Sequence, residues 1–124
     1  MPEPPPHRLT FPKESRLLKS SDFDAVFAAR QSVADQTLVL YGLANADGRP
    51  RLGLVVSRKV GNAVARNRWK RTLREAFRQS QHELPPLNYV CLPRAGQTPT
   101  TQALQASLRR LAAKVARKAR PNPS

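Results

Sequence analysis

Ser57-Arg58-Lys59-Val60-Gly61-Asn62-Ala63-Val64-Ala65-Arg66-Asn67-Arg68-Trp69-Lys70-Arg71-Thr72-Leu73-Arg74-Glu75 decides how this chain folds. Seven cationic side chains precede its single carboxylate, yet Val60, Ala65, Trp69 and Leu73 keep the apolar spacing of a folded helix. A disordered basic tail has no need of that spacing. A segment that folds and also presents dense charge to a polyanion does. Asn62, after Gly61, is a candidate N-cap, and the helix is expected to run to about Ser80.

At 100° per residue, with Trp69 at zero, Ala65, Leu73 and Ala76 fall within about 40° and Phe77 within about 80°. Lys70, Arg74, Asn67, Arg78 and Arg71 occupy the arc from about 100° to 200°, while Arg66 and Arg68 flank the two boundaries. One side packs on a sheet and the other carries cations at i, i+4 spacing: Arg66, Lys70, Arg74, Arg78. Like charges so placed cost a few tenths of a kcal/mol per pair, roughly 0.2–0.5. Glu75, four residues after Arg71, offsets one of them. The excess therefore does not serve the helix. Arginine dominates it and offers bidentate geometry to phosphate. Asn67, a poor mid-helix residue, can donate to a phosphate or a base edge.

Upstream, Ser20 or Ser21 can cap a short helix with Asp22 and Asp24 in its first turn and Phe23, Val26 and Phe27 on one face, ending near Arg30. Thr37–Leu43 is β-prone. Asp47-Gly48 supplies turn chemistry, and Leu52–Ser57 is expected as the second strand of a hairpin. Downstream, Leu84-Pro85-Pro86 breaks the chain before a strand at Asn88–Leu92. Pro93 cannot donate a ladder bond, so that strand ends there or lies on an edge. A last helix from near Thr100 carries Leu104, Leu108, Leu111 and Val115 as an apolar stripe. Residues 1–15 form a Pro-rich flexible arm, 16–117 a single domain, and 118–124 a basic tail, with fraying expected from 117. The order α-β-β-α-β-α predicts an α/β (α+β) two-layer sandwich with one mixed sheet.

The 124 residues carry a formal charge of +14 with 40% hydrophobic content, enough for one modest core. A surplus that large is tolerated where a polyanion neutralises it, which makes nucleic acid the leading partner class. The basic segments lack the large apolar faces of an interfacial helix, so no membrane is expected. One cysteine, Cys91, permits no internal disulfide and no thiolate metal site. Met1–Pro6 has no apolar signal-peptide region. The expected location is a reducing cytoplasm.

Constellations for protein-borne catalysis are missing. His7 and His82 are isolated, the eight acids are scattered, and no Gly-rich phosphate loop occurs. No catalytic and no metal-ligating residue is expected. The aromatics leave two readings open. Phe23, Phe27 and Tyr41 either belong to the core, as rings at helical spacing usually do, or line a groove on which single-stranded bases stack.

The run Val56–Phe77, with Arg66-Asn67-Arg68 at its centre, resembles the Arg-Asn-Arg motif of the bacterial ribonuclease P protein subunit, and Leu17–Phe27 resembles that family's first helix. The resemblance implies a small basic cofactor of a ribozyme. In such enzymes a catalytic RNA with bound Mg2+ removes the 5′ leader from precursor tRNA. By motif position, Arg58, Lys59, Asn62, Arg66, Asn67, Arg68, Lys70, Arg71 and Arg74 would face the catalytic RNA. Phe23, Phe27 and Tyr41 match a leader-binding cleft. It further implies a four-stranded sheet and a left-handed βαβ crossover, where the general rule alone favours a right-handed one. RNA, not DNA, is the implied partner, and Mg2+ would be held mainly by the RNA. A ribosomal or other structural RNA-binding protein shares the charge but needs no leader cleft. An independent nuclease would need the acid or histidine cluster that this sequence lacks.

Overall fold

The structure, a computed structural model, describes residues 16, 19–45, 48–96 and 99–118. The Pro-rich arm at 1–15, Leu17 and Leu18, Asp47 of the expected turn, and residues 119–124 lie outside that range. The chain runs α1 (Ser20–Ala28), β1 (Ser32–Ala34), β2 (Leu38–Ala44), β3 (Arg51–Leu54), α2 (Ala63–Ser80), β4 (Leu87–Pro93) and α3 (Thr101–Lys118). Single 3-10 turns at Arg58–Val60 and Gln81–Glu83 bracket α2.

Asn62 starts α2 as its chemistry dictates, its side-chain oxygen accepting from the Ala65 amide at 2.9 Å. Gly61 just before it has φ 148°, and a Cβ there would stand 2.7 Å from that of Ala65. Only glycine fits this junction. Thr100 caps α3 in the same manner, accepting from the Ala103 amide at 3.2 Å. The serines before α1 do not cap. Lys19 occupies the N-cap with no side-chain bond, and both serines fall inside the helix. Arg30, at φ 55°, terminates the helix in the left-handed region.

One mixed four-stranded sheet has the order β1-β2-β4-β3. β2 pairs antiparallel with β4 over seven residues, from Leu38↔Pro93 to Ala44↔Leu87, and β3 lies parallel to β4. The expected β2–β3 hairpin does not form, because β4 comes between the two strands. A seven-residue pair with matched alternation satisfies more backbone and side-chain contact than turn chemistry at residues 47 and 48 can direct. β4 is central, so Pro93 acts by ending it. The fourth strand, β1, is only three residues long and pairs with β2 at the edge.

Alternation divides the sheet into two faces. Leu38, Leu40, Leu87, Tyr89 and Cys91 point into the main core with Trp69, Leu73, Ala76 and Phe77 of α2 and Leu104, Leu108, Leu111 and Val115 of α3. α3 approaches closely enough that a Cβ on Gly42 would meet the Val115 side chain at 3.0 Å. Burial pushes the Cys91 thiol and the Tyr89 phenol well above their ordinary pKa values, and Asp35 adds to the effect on Cys91. Cys91 is thus a core residue. On the other face, α1 covers Val90 with Val26.

Helix α3 continues through Lys118, whose ammonium donates to the Ser32 carbonyl at 3.0 Å, so the helix is held at Lys118 where fraying from 117 was expected. No helix among the described residues is long and apolar enough to cross a membrane.

Candidate nucleic-acid interface

With Trp69, Leu73, Ala76 and Phe77 locked in the core, the remaining arc of α2 must face outward. Asn67, Arg68, Arg71 and Arg74 are exposed, as are Arg58, Lys59 and Asn62 just before the helix, while Arg66 and Lys70 are half-buried. The Nε of Arg66 is buried without a hydrogen-bond partner among the described residues. Glu75 goes to Arg78, three residues on, and not to Arg71; Gln79 donates to the same carboxylate. The Arg78 hydrogen bond, against the opposing pull of burial, holds the Glu75 carboxyl below its usual range.

None of Arg58, Lys59, Arg66, Arg68, Lys70, Arg71 and Arg74 forms an ion pair among the described residues; of the acids there, Glu75, Glu83 and Asp35 go to Arg78, His82, Arg109 and Arg110. Seven unneutralised cations on one helix and its approach form a strong positive field, whose natural complement is a phosphate backbone.

These cations do not form one uniform surface. Asn62, Val64, Ala65, Asn67, Arg68 and Arg71 line an open concavity of about 650 Å3. Lys70 and Arg74 turn the other way. With Arg16, Phe23, Leu52, Gly53 and Leu54 they line a smaller groove of about 200 Å3 between α2, β3 and α1. Burial, and then the nearby Arg16 charge, lowers the pKa of Arg74, as expected where cations crowd together. Arg16 joins the sheet through a parallel bridge to Leu52. Local pattern gave no sign of its place in the groove, because a long-range strand contact puts it there.

The rings form a further surface across the sheet. Phe27 and Tyr41 meet edge to face, with centroids 4.9 Å apart and planes at 79°. Phe23, Leu43, Val55 and Leu92 pack with them around Val26 and Val90. Val26 and Val90 are fully buried, whereas Phe23, Phe27 and Tyr41 are only half-buried. Among the described residues α1 is the only helix on this face, so the rings are anchored on one side and half-exposed on the other. The structure thus gathers the three sequence-selected rings into one cluster, and the Phe23 groove connects it to Lys70 and Arg74.

Asp35, at the opposite end of the sheet, organises a different region. Its carboxylate accepts from the Thr37 and Leu38 amides at 2.8 Å each, from Ser107 at 2.7 Å and from Arg110 at 2.6 Å. Among the described residues no group of three or more His, Cys, Asp or Glu side chains is placed to hold a metal ion.

Comparison with known proteins agrees in sequence and in structure. The Ribonuclease P family model matches residues 11–116. The ribonuclease P protein component of Photorhabdus laumondii is 44% identical over 90 residues, 72% of this chain and 76% of that protein. That of an Exiguobacterium species is 44% identical over 91 residues, 73% of this chain and 80% of the relative. Among solved structures, the RNase P protein of Staphylococcus aureus superposes with a TM-score of 0.70 at 34% identity, covering 82% of this chain and 94% of that one. The Thermotoga maritima protein gives 0.68 at 29%, covering 77% and 96%.

Proposed function

We propose, because this chain belongs to the ribonuclease P protein family, that it grips a catalytic RNA with α2 and the 5′ leader of precursor tRNA with the aromatic face across the sheet. The observation that carries this reading is the separation of the two surfaces. One is cationic, with no acid paired to its seven cations among the described residues; the other is apolar, half-buried and aromatic.

In this reading Arg58, Lys59, Asn62, Arg66, Asn67, Arg68, Lys70, Arg71 and Arg74 take the catalytic RNA, chiefly through its phosphates. Unpaired leader bases stack on Phe23, Phe27 and Tyr41, a sequence-tolerant contact because every base has a π-face. Lys70 and Arg74 stand where the two surfaces meet, and can neutralise leader phosphates as the strand enters the cleft. Hydrolysis of the phosphodiester belongs to the RNA, with Mg2+ supplying the charge that activates water and stabilises the leaving oxygen. The described acids outside α1 are committed elsewhere: Asp35 to α3, Glu75 to Arg78 and Glu83 to Arg109. The protein's part is to lower the repulsion between two polyanions and to hold the leader in register.

Reconstitution tests this. The cognate catalytic RNA is assayed at low Mg2+ with and without the chain, following 5′ cleavage of precursor tRNA. A large gain in cleavage is expected. No gain refutes the proposal, and cleavage by the protein without RNA would move the chemistry onto its side chains.

A further inference from the structure

Val64 is the only large apolar side chain strongly exposed among the described residues, at 77%. It stands in the first turn of α2 and lines the open concavity together with Asn62, Ala65, Asn67, Arg68 and Arg71. A lone exposed valine on an ordinary surface needs no explanation. Here it sits inside a ring of cations and amides, where water-facing polar residues would keep the helix just as well.

We infer that this concavity receives one unpaired nucleotide of the catalytic RNA, with Val64 and Ala65 as an apolar floor beneath its base or ribose. This deepens the assignment of α2 to the catalytic RNA and rests on it. The volume, about 650 Å3, lies within the roughly 300–1,000 Å3 typical of small organic ligand sites. The chemistry around it is that of a nucleotide. Arg68 and Arg71 flank the opening with guanidinium forks suited to phosphate. The exposed Asn67 amide offers donors and an acceptor to a base edge. The Asn62 oxygen is spent on the Ala65 amide, which leaves its NH2 to donate outward. Regular A-form RNA presents its bases too deeply for such a pocket, whereas an unpaired base is free to enter it. The leader is assigned to the aromatic face across the sheet, which leaves the catalytic RNA as the occupant here.

Val64→Ala tests the site cleanly, since alanine is the better helix former and the side chain is exposed, so folding is retained. Affinity of the full chain for the cognate catalytic RNA is measured across a salt series, alongside 2′-hydroxyl acylation of the RNA. Val64→Ala should weaken binding about five- to fifteenfold, the loss of two methyl groups that leave water on binding. The log–log salt slope should stay unchanged, because no counterion release is lost. One unpaired nucleotide protected by the wild type should become reactive with the variant, while the preference for precursor over mature tRNA stays as it was. Affinity within twofold of wild type, or identical protection patterns, overturns this site alone. A shallower slope overturns it too, by making the effect electrostatic. A shifted preference for precursor places the pocket on the leader instead. A wild-type chain that fails to bind the RNA at all overturns the proposed function, and the site with it.

Discussion

Truncating Phe27 to alanine separates the two tasks its ring could perform, because the structure assigns them different magnitudes. A fully buried phenylalanine such as Phe77 loses about 3–5 kcal/mol on truncation. Phe27 is half-buried, and its ring partner among the described residues is Tyr41, at 4.9 Å. That edge-to-face pair is worth about 0.5–1.5 kcal/mol beyond area burial. The stability loss expected for Phe27→Ala is therefore about 1–2 kcal/mol, a fall in Tm of roughly 5–10 °C for a domain of this size. If a leader base stacks on the ring, its removal costs a further 1–3 kcal/mol in leader binding, about 5- to 150-fold. Phe27→Leu sharpens the contrast, since it keeps most of the apolar contact with Val26 and Val90 but has no π-face. Binding of precursor and mature tRNA to the reconstituted enzyme, measured well below the Tm of each variant, gives the ratio that matters. Both variants should lose preference for the precursor, and only Phe27→Ala should lose appreciable stability. A Phe27→Ala protein that unfolds like Phe77→Ala, with a Phe27→Leu protein that keeps full preference, would show that the ring is core after all.

The other expectations concern the charges and the joint before α2. Arg71→Ala should weaken binding of the catalytic RNA and flatten its log–log salt dependence by about 0.9, one phosphate contact, whereas Arg109→Ala should leave that slope unchanged because Glu83 already engages Arg109. Asp35→Ala should destabilise the fold by about 2–3 kcal/mol in chemical denaturation, as the Thr37 and Leu38 amides lose their acceptor. Burial alone would raise the pKa of Asp35, but its bonds from Leu38, Ser107, Thr37 and Arg110 outweigh it and set the pKa below the ordinary value. The folded state thus prefers the charged carboxylate. Its contribution is fully present above about pH 4 and is lost as pH falls through the depressed folded value, a decline that Asp35→Ala should not show. Gly61→Ala should cost about 1–3 kcal/mol by forcing a side chain into φ 148° and against Ala65, and should weaken RNA binding by moving Arg58 and Lys59 relative to α2.

What the amino-acid order reveals, and what it hides, follows from the range of each interaction. The face of α2, its Asn62 cap and its end at Ser80 depend on residues within a few turns, and they stand in the structure as the pattern implies. The same holds for the stripe of α3, where Leu104, Leu108, Leu111 and Val115 are all buried. Strand neighbours are a different matter. Asp47-Gly48 is a sound turn signal, yet no local chemistry says that β4, more than forty residues after β2, will insert between β2 and β3. β1 is too short for alternation to show. The three rings are visible as residues, but their openness depends on how little of one sheet face α1 covers, and that is a tertiary fact. Arg16 and Val64 escape a local reading for opposite reasons. Arg16 reaches its groove through a strand bridge. Val64 resembles ordinary helix filler until its exposure and its cationic surroundings come together.

The two long helices make the strongest case for function because the same chain treats their charges differently. α2 and α3 are both eighteen residues long, and both bury one apolar face in the same core. On α3, Arg109 and Arg110 are answered by Glu83 and Asp35, and Lys118 by the Ser32 carbonyl, so three of its five cations tie the helix to its surroundings, and only Lys114 and Arg117 stay unpaired among the described residues. Residues 48–74 carry nine cations and no acid at all. Solubility would be served better by mixing the two signs. Helix stability would be served better by placing acids four residues before the arginines. Both options are chemically open to this chain, since it uses acid–arginine pairing at Glu75–Arg78 in the last turns of α2 itself. Seven unpaired cations gathered on one helix and its approach, at a cost to the helix that carries them, are accounted for by a polyanion that completes them from outside.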